Sequence, residues 1–358
     1  MKIAFLGDIA FVDKYDLINN PNAKNNLKEI AEYLKKYDYV IGNLESPLTD
    51  RKHTLVCKSM HLRSNSINVQ LLKYLNISAV SLANNHTNDF GKQGLEDTIQ
   101  ILKKNNIEYF GVNNKYILKE GIRIHGYCCY STNATGYSNR NSKYGINPLH
   151  RDSIFNEVEK DREKGLLSLL AIHWGDEHTN YPRYDHIQFI KKLKTKNNIV
   201  VSGHHPHVVQ GIDDSENSLI AYSQGNFCFD DLKAISGTGL ELKQNEENRE
   251  SFILEVLVEK NKVKDYKVIG IREIKGEIKL SSIQKKLKLI SKELRNIINP
   301  DEYQNKRINQ YSNKEFRIRK FGKKDFNWYC RRLNYYSIGA LLIAKINSIK
   351  YSRYFLKN

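Results

Sequence analysis

The chain has 358 residues, 40% of them hydrophobic, which suffices for one large domain with an appendage or for two modest domains and argues against disorder. Its net charge of +17 is confined to the C-terminal part: residues 259–358 hold 26 of the 57 Lys and Arg against 9 of the 40 Asp and Glu, whereas residues 1–258 are neutral and carry all 11 histidines. The five cysteines show no CxxC spacing, which excludes a zinc ribbon or a disulfide framework and fits a reducing cytosol.

Ile3–Leu6 is too short an apolar run for a secretory signal, so it is expected to be a first strand of an intracellular chain, ending at Gly7-Asp8. No window approaches the roughly eighteen apolar residues of a transmembrane helix. Residues 24–36 place Leu27, Ile30, Ala31 and Leu34 at helical spacing. Tyr39–Gly42 is a second strand, running into Asn43-Leu44-Glu45. Residues 66–75 read as helix, and Ala79–Ala83 as a third strand followed by Asn84-Asn85-His86. Residues 92–104 are helical again. Leu166–Ile172 is a buried-type strand ending at His173, and Ile199–Ser202 leads into Gly203-His204-His205-Pro206-His207. Leu219–Tyr222 leads into Ser223-Gln224-Gly225-Asn226-Phe227. Residues 252–258 and 263–271 alternate like paired strands, and 280–298 form an amphipathic helix. This alternation predicts an α/β body over 1–275 and a basic, mainly helical extension over 276–358.

Five predicted strands thus end in groups that metals favour: Asp8, Glu45, Asn85 with His86, His173, and His205 with His207. Ligands of α/β sheets bind in the crevice at the carboxyl ends of the strands. Carboxylates, an amide oxygen and neutral imidazoles form a mixed oxygen–nitrogen set suited to Mn, Fe or Zn. A lone histidine after a strand is ordinarily a satisfied polar residue, but five strand ends agreeing predicts a site for one or two divalent ions. Histidines one residue apart on an extended segment point to opposite sides. A turn at Pro206 would bring both to one pocket, or send one to each of two metals.

These motifs resemble the calcineurin-like metallophosphoesterase superfamily, and within it the CapA (poly-γ-glutamate and capsule synthesis) family. The resemblance runs in family order over about residues 1–275, through Gly42-Asn43-Leu44-Glu45, Leu82 to Gly91, His173-Trp174-Gly175-Asp176-Glu177, Gly203 to Val208 and Tyr222 to Phe227. It implies a four-layer α/β/β/α sandwich and a metal-dependent hydrolase, acting on a phosphoester or related tetrahedral centre in capsule or exopolymer synthesis. By position, Glu45 matches a bridging carboxylate, Asn85 a metal-binding amide, and His173, His205 and His207 imidazole ligands; Asp8 matches the first-strand aspartate. His86 matches the proton donor to the leaving group, oriented by Asp89. The superfamily's first motif is DxH, whereas Asp8-Ile9-Ala10 lacks the histidine. Glu45, Asn85, His173 and His205 therefore form a nearly complete second-metal site, and Asp8 with His207 a weakened first one. A single ion is the alternative, as is an accessory or assembly factor that keeps the fold without turnover.

Trp174, Glu177 and Asn226 are candidates for lining a substrate pocket, with core or turn roles as the plainer readings of Trp174 and Asn226. His204, His178 and His186 are unassigned, and the polar segment 50–65 is expected to be a lid or specificity loop. Adjacent Cys128 and Cys129 fit a buried strand. In the extension, residues 314–333 interleave Lys and Arg with aromatics and precede the apolar stretch Tyr335–Ile346, too short to span a bilayer. That composition suits a membrane surface or a membrane-bound capsule-synthesis complex, placing the protein in the cytoplasm at the inner face of the membrane. Packing on the body is the alternative; nucleic acid fits less well, since no RNA- or DNA-binding motif appears.

Overall fold

Alternation along the first strand, β1 (Lys2–Ile9), sets the layering of the molecule. Ile3 and Phe5 face a core shared with a second sheet, while Ala4 and Leu6 face a core closed by helices. The computed structural model describes residues 1–138, 144–234, 241–312 and 325–355. Its further strands are β2 (Tyr39–Leu44), β3 (Ala79–Ser81), β4 (Glu108–Phe110), β5 (Ile117–Lys119), β6 (Ile122–Cys128), β7 (Leu167–His173), β8 (Ile199–His204), β9 (Ile212–Asp213), β10 (Leu219–Ala221), β11 (Asn226–Cys228), β12 (Leu232–Lys233), β13 (Glu241–Leu242), β14 (Glu250–Glu259), β15 (Lys262–Ile274) and β16 (Glu277–Leu280). Among the described residues, one sheet has eight strands in the order β16-β15-β14-β1-β2-β3-β4, with β11 pairing the end of β1. The other has six, in the order β5-β6-β7-β8-β10-β9, and β12 and β13 form a separate ribbon. Strands β1 to β4 are mutually parallel, as are β6, β7, β8 and β10.

Helices α1 (Lys28–Leu34), α2 (Val69–Tyr74) and α3 (Gly91–Lys104) cover the outer face of the first sheet, packing Ile30, Leu34, Leu71, Leu95 and Leu102 onto Val40 and Val80. Helices α4 (Arg151–Glu163) and α5 (Tyr184–Lys194) cover the second, with Ile154, Val158, Ile187 and Ile190 on Leu170, Ile172 and Val201. The inner faces meet through Ile3, Phe5, Tyr39 and Ile41 on one side and Ile124, Leu167, Leu169 and Val200 on the other. The fold is therefore the expected α/β/β/α sandwich, each fully buried aliphatic contributing about 1.5–3 kcal/mol. Parallel order within both sheets sends their carboxyl ends to one edge of the sandwich.

The elements differ from the sequence reading in three places, the first of which has a clear physical cause. Strand β6, which the sequence marks only at its Cys128 end, and helix α4, which it does not mark, share a buried polar cluster that breaks the hydrophobic pattern. In it Asp161 bonds Arg123 Nη1 (2.8 Å), His125 Nε2 (2.8 Å) and Ser168 Oγ (2.7 Å). The expected helices at 24–36 and 66–75 each begin as a 3₁₀ turn, Asn25–Leu27 and Ser66–Asn68, leaving shorter α-helices. The helix expected over 280–298 yields its start to β16 and becomes α6 (Gln284–Arg295). The division expected at 275/276 falls in the β15–β16 hairpin, and Ile278, Leu287 and Leu294 beyond it join three different cores.

The chain continues through α7 (Pro300–Ser312), whose Tyr303 hydroxyl donates to Pro182 O (2.9 Å), to α8 (Phe326–Arg332) and α9 (Tyr335–Phe355). The basic residues Lys314, Arg317, Arg319, Lys320, Lys323 and Lys324 lie outside the described residues. Among those described, no helix is long and apolar enough to cross a membrane.

Candidate metal centre

The carboxyl ends of the parallel strands bring six predicted ligands together. Asp8 lies near the end of β1, Glu45 directly follows β2, Asn85 follows β3, and His173 closes β7. His205 and His207 follow β8. Two glycines make the convergence feasible: a Cβ on Gly7 would collide with the carbonyl of Gly225, and one on Gly203 with the carbonyl of Tyr222. After β8 the backbone turns sharply, with φ of 94° at His205 and 57° at His207. Such conformations cost non-glycine residues on the order of 1–3 kcal/mol and cluster at functional sites. The consequence is specific. Ligand atoms of Glu45, His173 and His205 lie within 4.8 Å of one another, and so do those of Asp8, Glu45 and His207. The two histidines therefore serve different groups, and Glu45 belongs to both.

Glu45 is completely buried, and neither carboxylate oxygen accepts a hydrogen bond among the described residues. Its Oε1 is 3.7 Å from His173 Nε2, 3.7 Å from His207 Nε2 and 4.0 Å from His86 Nε2. Burial, followed by the charge of Asp8, pushes its carboxyl well above the ordinary range. A buried carboxylate ringed by imidazoles and lacking hydrogen-bond donors fits a cation partner. Asp8 is the opposite case. Burial alone would raise its carboxyl, but His204, His207 and Asn43 outweigh that and hold it below the usual value. Its Oδ1 accepts from Asn43 Nδ2 (2.9 Å) and meets His204 Nδ1 (3.0 Å), and its Oδ2 accepts from the His205 amide (3.0 Å). Burial and neighbouring histidines keep His173 neutral, the form that ligates metals. Its Nε2 lies 2.8 Å from Asn85 Oδ1, which adds an amide oxygen to the first group.

His86 and Asp89 form the expected pair, with Nδ1 2.6 Å from Oδ2. Donation of Nδ1–H to Asp89 leaves Nε2 directed towards Glu45. Burial and then Lys58 push the His86 imidazolium down to about 4, so the ring is neutral at pH 7. Lys58 is a site residue that the sequence did not reveal. Its ammonium donates to Asp89 Oδ1 (2.9 Å) and to Asn85 O (2.7 Å). It is one of two lysines in the polar segment 50–65, which carries no periodic or motif signal.

Asn85, His86, His207, Lys58 and Glu177 line a cavity of about 450 Å³. Glu177, one of the candidates for a substrate pocket, is among these lining residues. Trp174 is corrected: it is buried, stacked between His186 (4.8 Å) and Tyr222 (5.7 Å), and its indole N–H donates to Tyr222 O (2.9 Å). It fills the core beneath α5. Asn226 meets His207 Nδ1 through its Oδ1 (2.9 Å) and so orients a ligand from behind. His204, unassigned from the sequence, braces Asp8 in the same manner.

A family model described as "Bacterial capsule synthesis protein PGA_cap" matches residues 2–231, which include every residue of this centre. The chain is similar to the PGA biosynthesis protein CapA of Bacillus subtilis (strain 168), 26% identical over 241 residues, covering 64% of this chain and 63% of that protein. It is 30% identical over 230 residues to the capsule biosynthesis protein CapA of Bacillus anthracis, covering 60% and 56%. It is 26% identical over 225 residues to a probable polyglutamine synthesis accessory protein of Mycobacterium tuberculosis, covering 56% and 57%. The matches therefore span less than two-thirds of each of these relatives.

Proposed function

The chain belongs to the PGA_cap family of bacterial capsule synthesis proteins, and on that premise we propose that it acts in making a capsule or poly-γ-glutamate-like exopolymer as a metal-dependent hydrolase of phosphoesterase type. The observation that carries this reading is Glu45, a buried carboxylate without hydrogen-bond donors among the described residues, shared by two groups of ligand atoms. Divalent-metal chemistry at such a site polarises a phosphoryl oxygen and eases the ionisation of water. Glu45, His173, His205 and Asn85 would hold one ion, and Asp8, Glu45 and His207 a second. His86, with Nδ1–H held by Asp89, presents an unprotonated Nε2, which would take a proton from the attacking water before giving one to the leaving group. Lys58 fixes Asp89 in turn.

Metal analysis of the purified protein, combined with a phosphoester panel under Mn²⁺, Zn²⁺ and Fe²⁺, tests the proposal. Glu45→Ala and His205→Ala should lose both metal and turnover; full activity in a metal-free variant would sink it. An accessory role without turnover is favoured by one observation: the superfamily's histidine position is Ala10, packed in an apolar cluster with Met60, Leu62 and Phe229. His86→Ala separates the readings, because unchanged polymer output with metal still bound selects the accessory role.

We also propose that the protein works at an anionic membrane surface. Helix α9 exposes Ile338, Leu341, Leu342, Ile346 and Ile349 along its outward side, in the part of the chain that carries the excess of basic residues. Flotation with anionic but not zwitterionic vesicles is the expected result; equal behaviour with both removes the electrostatic part.

A further inference from the structure

Much of the cavity wall above the metal centre comes from chain beyond the family match at residue 231. Helix α9 supplies Ala340, Ile343 and Ala344 to that wall. Its inward residues Tyr336, Gly339, Ala340, Ile343, Ala344 and Asn347 recur at three- and four-residue spacing, the mark of one helix face. The seat is specific. The Tyr336 hydroxyl donates to Thr54 O (2.9 Å), and its ring meets His61 edge-on at 5.5 Å. Gly339 lies so close to Cys57 that a Cβ there would be 2.6 Å from its Sγ. Asn347 Nδ2 donates to Ala134 O (3.3 Å).

The result is a cavity with two chemistries. Asn85, His86 and His207 bring the metal centre to its lining, Phe229 packs on the His207 ring at 4.9 Å, and Met60, Leu232, Ala340, Ile343 and Ala344 add apolar surface beside the charged Lys58, Lys243, Glu247 and Arg332. At about 450 Å³ it lies within the range of small-molecule sites. A metal-bearing floor selects an oxyanion, whereas an apolar wall rewards each methylene removed from water. A small hydrophilic phosphoester would leave that wall uncovered.

We propose that α9 builds an apolar subsite facing the metal centre, so that the site takes an amphiphilic oxyanion, a phosphoester head bearing an uncharged apolar arm of several carbons. The proposal rests on the metal-centre reading above, and its test separates the two. Full-length protein loaded with Mn²⁺ is titrated calorimetrically with methylphosphonate and with octylphosphonate below its micelle concentration. Octylphosphonate should bind at least tenfold more tightly. Ala344→Trp, which fills the subsite, and separately Ile343→Asp, which charges it, should each erase most of that preference. Equal affinity for the two ligands in the unaltered protein overturns the subsite while leaving the metal floor standing. A preference that survives both substitutions overturns its assignment to α9. Failure of the metal-loaded protein to bind either phosphonate overturns the floor reading and the subsite with it.

Discussion

Glu45→Met is expected to stabilise the metal-free protein and, at the same time, to remove the stabilisation that metal confers. Both Glu45 oxygens are buried and accept no hydrogen bond among the described residues, so loss of the carboxyl relieves an unsatisfied buried group. That relief amounts to about 1–3 kcal/mol, and the flexible thioether fills the vacated volume. For 358 residues, at about 2.1 cal/mol/K of unfolding entropy per residue, 1 kcal/mol corresponds to about 1.3 K in Tm. The metal-free variant should therefore melt about 1–4 K above the unaltered protein. Metal works in the other direction. At a hundredfold excess over Kd, one bound ion adds about 2.7 kcal/mol, or about 3.5 K. Because Glu45 belongs to both ligand groups, the variant should show none of that shift. Scanning calorimetry in EDTA and then in excess Mn²⁺ reads both effects. A variant that melts below the unaltered protein in EDTA, or one that keeps the Mn²⁺ shift, refutes the reasoning.

Lys58→Met should raise the pKa of His86, since Lys58 stands second only to burial among the causes that hold it at about 4; NMR titration of the imidazole resonances reads the change. The Asp161 cluster predicts acid sensitivity away from the metal centre. Burial would raise the Asp161 carboxyl, but His125, Ser168 and Arg123 prevail and hold it below its ordinary 3.8. Its stabilisation is thus full above that value and is lost as pH falls through the lowered folded pKa. Asp161→Asn should cost about 3 kcal/mol at pH 7 and flatten the stability curve below about pH 4, measured by urea denaturation across pH.

Most of the metal centre was legible because each ligand terminates an apolar run, and such runs are what a buried parallel strand looks like in sequence. Asp8, Glu45, His173 and the His205-Pro206-His207 turn needed only the direction of the strands. What escaped lacks a periodic signal. Lys58 reaches the centre from an irregular segment, and its role depends on two acceptors distant in sequence. Trp174 stayed open between pocket and core because the residue after a strand-end ligand can point either way. The ring stack with His186 and Tyr222 that fixes it joins three separate elements. Arg123 and His125 broke the apolar pattern of β6, and only the fold shows Asp161 beneath them. The seat of α9 on Thr54, Cys57 and Ala134 is likewise a long-range fact, in a segment whose composition is compatible with membrane, partner or body.

The two ligand groups are unequal for reasons visible in their hydrogen bonds. Asp8 already accepts from Asn43 and the His205 amide and contacts His204, so an ion joining Asp8, Glu45 and His207 competes with those partners for the same oxygens. No histidine relieves that competition, because the place where the superfamily carries one is Ala10, turned into an apolar cluster. In the other group the Glu45 oxygens accept no hydrogen bond among the described residues, and the contact an ion would replace is that of His173 Nε2 with Asn85 Oδ1, which is itself an oxygen donor. The missing histidine and the hydrogen bonding of Asp8 thus point the same way. The expected outcome is tighter binding at the group built on His173 and His205 and faster exchange at the one served by His207: stepwise loss of Mn²⁺ to a chelator should show two steps, and His207→Ala should remove the weaker one.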